Sequence, residues 1–147
     1  MKLWRVSEHA DLSGKGGLIA KARWNRAGMA VVYCTDHPST ALLEKLAHFD
    51  FEDMPRTYRL FSVQVPDDAP RFTVETRQLP KNWKTNTDAT QALGSSLLAS
   101  AEQLMIWVPC ALVPEAWNIL LNPAHAESAE CFIEDIFDEP FDPRLIR

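Results

Sequence analysis

A cation, an aromatic ring and a carboxylate follow one another at short intervals in this chain: Arg23 within Arg23-Trp24-Asn25, then Tyr33, then Glu44. A guanidinium offers paired donors to a phosphate. An aromatic face can stack on a planar base or a nicotinamide ring, and a carboxylate can steady the cation left when a glycosidic bond breaks. Together they are a candidate set for holding a dinucleotide and cleaving its glycosidic bond. Each also has an ordinary use, as a solvated arginine, a packed tyrosine and a glutamate on a wet helix face.

A second group lies in Val108-Pro109-Cys110-Ala111-Leu112-Val113-Pro114 and the residues after it. The prolines restrict the backbone around Cys110. With no histidine nearby in sequence, Cys110 reads as an inert thiol rather than a Cys-His nucleophile. Asn118, Asn122 and His125 can hydrogen-bond a ligand or cap turns. A second carboxylate for acid catalysis matters less here, because the cationic nicotinamide ring departs as a neutral molecule. The histidines His9, His37, His48 and His125 are too scattered to suggest metal ligands. Gly14-Lys15-Gly16-Gly17 lacks the Gly-Lys-Ser/Thr end of a P-loop and does not open a helix after a strand as a Rossmann fingerprint does.

The elements that must position these residues read as follows. Ser13 to Gly17 is expected to be a mobile loop. Met29 to Cys34, with Val31, Val32 and Tyr33, suggests a strand buried on both faces. A helix is expected from about Thr40 to His48, with Pro38 near its start and Asp36, Ser39 and Thr40 as candidate caps. At 100° per residue, Leu42, Leu43, Leu46, Ala47 and Phe49 form its apolar side, and Glu44 lies nearly opposite with His48 one turn on. Glu44 is thus expected to face solvent or a cleft. Alternation predicts strands over Tyr58 to Val65 and at Phe72 with Val74. Asp88 and Gln91 suggest a capping box for a helix over Ala92 to Ser100. Further strands are expected over Leu104 to Val108, Asn118 to Leu121 and Cys131 to Phe137. Strands outnumber helices without steady alternation, so the class is α+β.

Composition narrows the classes. At 147 residues, 46% hydrophobic and 24% charged, the chain suits one globular domain able to bury a core without disulfides or metal. A formal charge of -5 argues against direct nucleic-acid binding, which needs many Lys and Arg contacts. Cys34, Cys110 and Cys131 lack zinc-site spacing and suggest reduced thiols in a cytoplasmic setting. No apolar run approaches a membrane span, and Met1 to Arg5 lacks the apolar core of a signal peptide.

Taken together, these blocks resemble the RES family, named for arginine, glutamate and serine, whose members are toxins of bacterial toxin-antitoxin pairs. The resemblance runs over nearly the whole chain, 1–147 as one RES domain. It rests on Trp4-Arg5, Gly14 to Gly17, Arg23-Trp24-Asn25, Gly28, Val31-Val32-Tyr33, Ala41-Leu42-Leu43-Glu44, Leu79-Pro80 with Trp83, Gly94, Val108-Pro109, Asn118, Asn122-Pro123, His125 and Phe141 to Leu145. The order and spacing of these blocks carry it. It implies an ADP-ribosyltransferase-like fold, small split sheets around an NAD cleft with flanking helices. It also implies consumption of NAD+ as substrate, without metal, by phosphorolysis or hydrolysis of the nicotinamide-ribose bond, or transfer of ADP-ribose to a protein. On that footing Glu44, Arg23 and Tyr33 are the expected catalytic residues, and Arg23, Trp24, Tyr33, Cys110 and Asn118 the expected substrate contacts. The implied partner is an Xre-type helix-turn-helix antitoxin, and a homodimer is compatible with the resemblance. This chain departs from the pattern at Cys110, where the family has serine, and at Ala22, where glycine is common. A degenerate module that binds antitoxin without catalysis is therefore the rival reading.

Overall fold

Alternating and continuous apolar runs give the chain its strands, and a computed structural model shows how they pair over the described residues, 1–145. The strands are β1 (Lys2–Val6), β2 (Val32–Thr35), β3 (Thr57–Gln64), β4 (Arg71–Thr73), β5 (Met105–Pro109), β6 (Trp117–Leu121) and β7 (Phe132–Pro140). They form one seven-stranded sheet in the order β4-β5-β6-β2-β1-β3-β7. The β4–β5 pair is parallel and the rest are antiparallel. Helices α1 (Lys15–Ile19), α2 (Pro38–Leu46) and α3 (Thr87–Ser100) complete an α+β fold.

The expected split between small sheets takes the form of a seam inside this continuous sheet. On one side β2 and β6 pair from Val32↔Leu121 to Thr35↔Asn118. On the other, β1 and β3 pair from Lys2↔Gln64 to Val6↔Leu60. Across the seam β1 and β2 are in register at Trp4↔Thr35. Past that position the strands part, and Arg5 bridges the gap by donating from Nη1 to the Tyr33 carbonyl at 3.3 Å.

Each face of the sheet carries its own core. Leu3, Val32, Cys34, Phe61, Val63, Ile119 and Leu121 cluster on one. Trp24, Val74, Trp83, Leu98, Ile106, Val108 and Leu120 cluster on the other. Strand β6 sends Ile119 and Leu121 one way and Leu120 the other, which is why its sequence is apolar without alternation.

Several expectations change in detail. Gly14 to Gly17 is not an open loop but leads into α1, because Gly17 packs so closely that a Cβ there would lie 2.1 Å from the Met29 carbonyl oxygen. The strand expected from Met29 starts at Val32, since Met29 and Val31 donate their N–H groups to Gly17 and Gly14 instead of a strand partner. Helix α3 begins at Thr87, five residues before the expected start. Its cap is Asn86, whose side chain accepts from the Ala89 N–H at 3.3 Å. Gln91 does not close a capping box; it donates to the Ala22 carbonyl at 2.9 Å. Helix α2 starts at Pro38 behind His37, whose Nδ1 accepts from the Ser39 N–H at 3.2 Å. It buries the small residues Thr40 and Ala41 and leaves Leu43 43% exposed. The leucine stripe is therefore not its inward face. Strand β1 was not expected, because Lys2 and Arg5 interrupt its apolar pattern.

Candidate active site

The parted strands open into a cavity of about 690 Å³. Strand β1 supplies Arg5 and Ser7 at its end, β2 supplies Tyr33 and Thr35, and β6 supplies Asn118. Helix α2 adds Glu44, Lys45 and, just past its end, His48. The segment after α1 adds Lys21, Ala22 and Arg23.

The Arg23 segment is held through its backbone. Thr90 donates to the Arg23 carbonyl at 2.6 Å, Gln91 to the Ala22 carbonyl, and Ser95 Oγ accepts from the Arg26 N–H at 3.0 Å. All three belong to α3. Gly94 lies between them, and a Cβ there would lie 1.9 Å from the Trp24 carbonyl oxygen, so only glycine permits the approach. The Trp24 indole is fully buried and packs on Trp83 at 6.0 Å between centroids. Arg23 Nη1 donates to the Lys84 carbonyl at 2.7 Å. The remaining N–H groups of the guanidinium have no hydrogen-bond partner among the described residues.

Tyr33 is tied at its hydroxyl, which donates to Asn25 Oδ1 at 2.8 Å and accepts from the Trp24 N–H at 3.1 Å. Burial pushes this phenol above its ordinary range. It stays protonated at neutral pH.

Glu44 projects into the cleft from the same side of α2 as Ala41, one turn earlier. Its Oε1 accepts from Asn118 Nδ2 at 2.7 Å and from the Cys110 thiol at 3.2 Å. Burial raises the Cys110 pKa, with the Glu44 carboxylate adding to the effect, so the sulfur remains a thiol and a donor at neutral pH. Among the described residues Glu44 is the sole carboxylate lining the cleft, against Arg5, Lys21, Arg23 and Lys45. Ion pairs lie elsewhere on the surface, at Met1–Asp67, Lys2–Glu134, Arg59–Asp138 and Arg144–Asp142. The cleft cations have no carboxylate partner within salt-bridge distance among the described residues.

A family model of the RES domain matches residues 2–142. The chain belongs to the RES domain family. It is 42% identical over 142 residues to "Toxin Res" of Pseudomonas putida KT2440, covering 92% of this chain and 94% of that one. It is 31% identical over 154 residues to "Prs ADP-ribosylating toxin" of Sphingobium sp. YBL2, covering 98% and 96%. In fold it is similar to the solved M. tuberculosis MbcT–MbcA toxin-antitoxin complex, with a TM-score of 0.72 and 19% identity over 99% of this chain and 86% of that one. The RES relatives that this chain matches over nearly their whole length are toxins.

Within this RES domain the expected residues do not all serve alike. Arg23, Tyr33, Glu44 and Asn118 line the cleft. Trp24, expected as a substrate contact, also borders the cleft, but its side chain is fully buried against Trp83. Cys110 is only 4% exposed and reaches the site through Glu44, while its neighbours Ala111 and Leu112 line the wall. Arg5, Ser7, Lys21, Lys45 and His48 were not singled out as site residues. The signals were the Trp4-Arg5 pair within the family pattern, Lys45 beside Glu44 and His48 on Glu44's side of the helix. Arg5 donates to Ser7 Oγ at 3.3 Å as well as to Tyr33, and its Nε is buried without a partner.

No helix among the described residues is long and apolar enough to cross a membrane.

Proposed function

We propose that this RES domain is the toxin of a toxin-antitoxin pair and consumes NAD+ by cleaving the nicotinamide-ribose bond. The observation that supports it is that, among the described residues, one carboxylate, Glu44, lines the cleft beside cations that have no carboxylate partner, in a chain whose overall charge is -5. Such a cleft suits an anionic ligand that develops positive charge at one carbon. Arg23 would hold the diphosphate, with Arg5, Lys21 and Lys45 adding to the local positive potential. Tyr33 would pack against a ring of the ligand. As the bond from the ribose anomeric carbon to the ring nitrogen breaks, its electron pair leaves with nicotinamide, and the Glu44 carboxylate stabilises the ribosyl cation. Both hydrogen bonds to Glu44 fall on Oε1, which leaves Oε2 for the substrate.

The acceptor is water, inorganic phosphate or a protein side chain. The Sphingobium relative's name favours the last as a second reading. The partner would be an antitoxin, a reading supported by the solved complex of the structural neighbour, and its Xre type is what the family resemblance implies. Incubating the purified protein with NAD+, with and without phosphate and freed of any bound partner, and separating the products tests the reading. Free nicotinamide together with ADP-ribose or its phosphorylated form is expected. Label passing from NAD+ to a polypeptide would select ADP-ribosyl transfer, and NAD+ left intact under all conditions would refute the enzyme.

A further inference from the structure

The amide of Asn118 is partnered on one side only. Its Nδ2 lies 2.7 Å from Glu44 Oε1, at the short end expected of a hydrogen bond to an ionised acceptor. Its Oδ1 is buried and has no hydrogen-bond partner among the described residues, in a side chain only 8% exposed. Turning the amide over would set that oxygen against the carboxylate. Glu44 is thus the group that decides which way the amide points. The other donor to Oε1, the Cys110 thiol at 3.2 Å, is intrinsically weak.

We propose that Asn118 is the positioning residue of Glu44, not a substrate ligand, and that in this chain it carries most of the orientation that a serine at position 110 would otherwise share. The inference rests on Glu44 being the carboxylate of the proposed reaction. Its physical basis is the difference between the elements involved. Asn118 sits on β6, paired to Thr35 of β2 on one side and Val108 of β5 on the other. Glu44 sits on a nine-residue helix whose leucine side is partly open to solvent. The hydrogen bond ties a side chain on a lightly packed helix to the middle of the sheet. It also fills Oε1, so that Oε2 is the atom presented to the cleft.

Two measurements on the full chain test this. In the first, thermal unfolding is compared for the parent, Asn118→Ala, Glu44→Ala and the double variant. Asn118→Ala should lower Tm clearly in the parent and by much less, or not at all, once Glu44 is gone. An equal drop in both backgrounds would overturn the proposal, and this reading needs no turnover of NAD+. In the second, Asn118→Ala should lower kcat by about 100-fold, the scale of a misplaced catalytic group, with KM changed less than about twofold. Cys110→Ala should lower kcat by distinctly less. A raised KM with kcat retained would make Asn118 a substrate ligand instead. Asn118→Asp places a second carboxylate beside Glu44, so activity should be lost at neutral pH and recover in part as pH falls and the pair takes up a proton. An unchanged pH profile in that variant would count against the proposal. If the parent itself leaves NAD+ intact, the proposed function fails while the unfolding comparison still decides the role of Asn118.

Discussion

Arg23 and Glu44 face the same cleft but are held in opposite ways. The Arg23 wall is fixed through its backbone, by Thr90, Gln91 and Ser95 of α3 and by an indole buried between sheet and helix. The Glu44 wall is fixed through side chains, by Asn118 and Cys110 acting on one carboxylate oxygen. Defects should therefore differ in kind: on the first wall they cost mainly stability, and on the second they cost turnover beyond any loss of stability.

The largest expected contrast is between two apolar truncations. Trp24→Ala should destabilise the protein by about 3–5 kcal/mol, as a large aromatic removed from a close-packed core. Leu43→Ala, on the half-exposed side of α2, should cost about 1 kcal/mol or less. Denaturant unfolding measures both, and similar losses would erase the distinction. Next in size is an effect on β2, the strand lying between the walls. Burial pushes Cys34 from an ordinary value of 9.0 to about 12. Between those limits the unfolded chain releases the thiol proton and the folded chain keeps it, so stability should fall as pH rises, by about 1.4 kcal/mol per pH unit. Below the lower limit the group contributes no slope. Cys34→Ala should flatten the fall in Tm between pH 9 and the onset of tyrosine ionisation; an unchanged slope would place the effect elsewhere. The smallest effect is expected at Cys110→Ser, where a better donor replaces a weak one beside Asn118. A rise in kcat of about two- to fivefold, with Tm nearly constant, is expected from the modest worth of one hydrogen bond. Activity appearing only in the serine variant would instead mark this chain as a degenerate binding module.

Much of the site was legible because the family pattern groups residues by spacing, and helical periodicity turned Glu44 away from the leucines. The physical reason was only partly right. Glu44 points inward because α2 packs through Thr40 and Ala41, and no stripe of large residues announces a helix docked through small ones. Strand β1 was hidden because Arg5 looks like a solvated residue, whereas it fills the gap where β1 and β2 part. Trp24 was expected as a substrate contact through the family resemblance, and its spacing beside Arg23 does not reveal whether its ring is buried. Only the approach of Gly94 and Trp83 does so. The α+β class and most strands were readable from alternating or continuous apolar runs, while the contact between Cys110, Asn118 and Glu44 depends on pairing across distant segments.

In the proposed function Glu44 drives scission of the nicotinamide-ribose bond. The most direct measurement is the rate of nicotinamide release from NAD+ by the purified parent and by Glu44→Gln, at equal folded concentration confirmed by unfolding curves. Release by the parent and a loss of at least about 100-fold in the variant are expected, because a charge aimed at the transition state is removed, with Tm little changed. Release at the parental rate by a folded Glu44→Gln protein would contradict that role of Glu44.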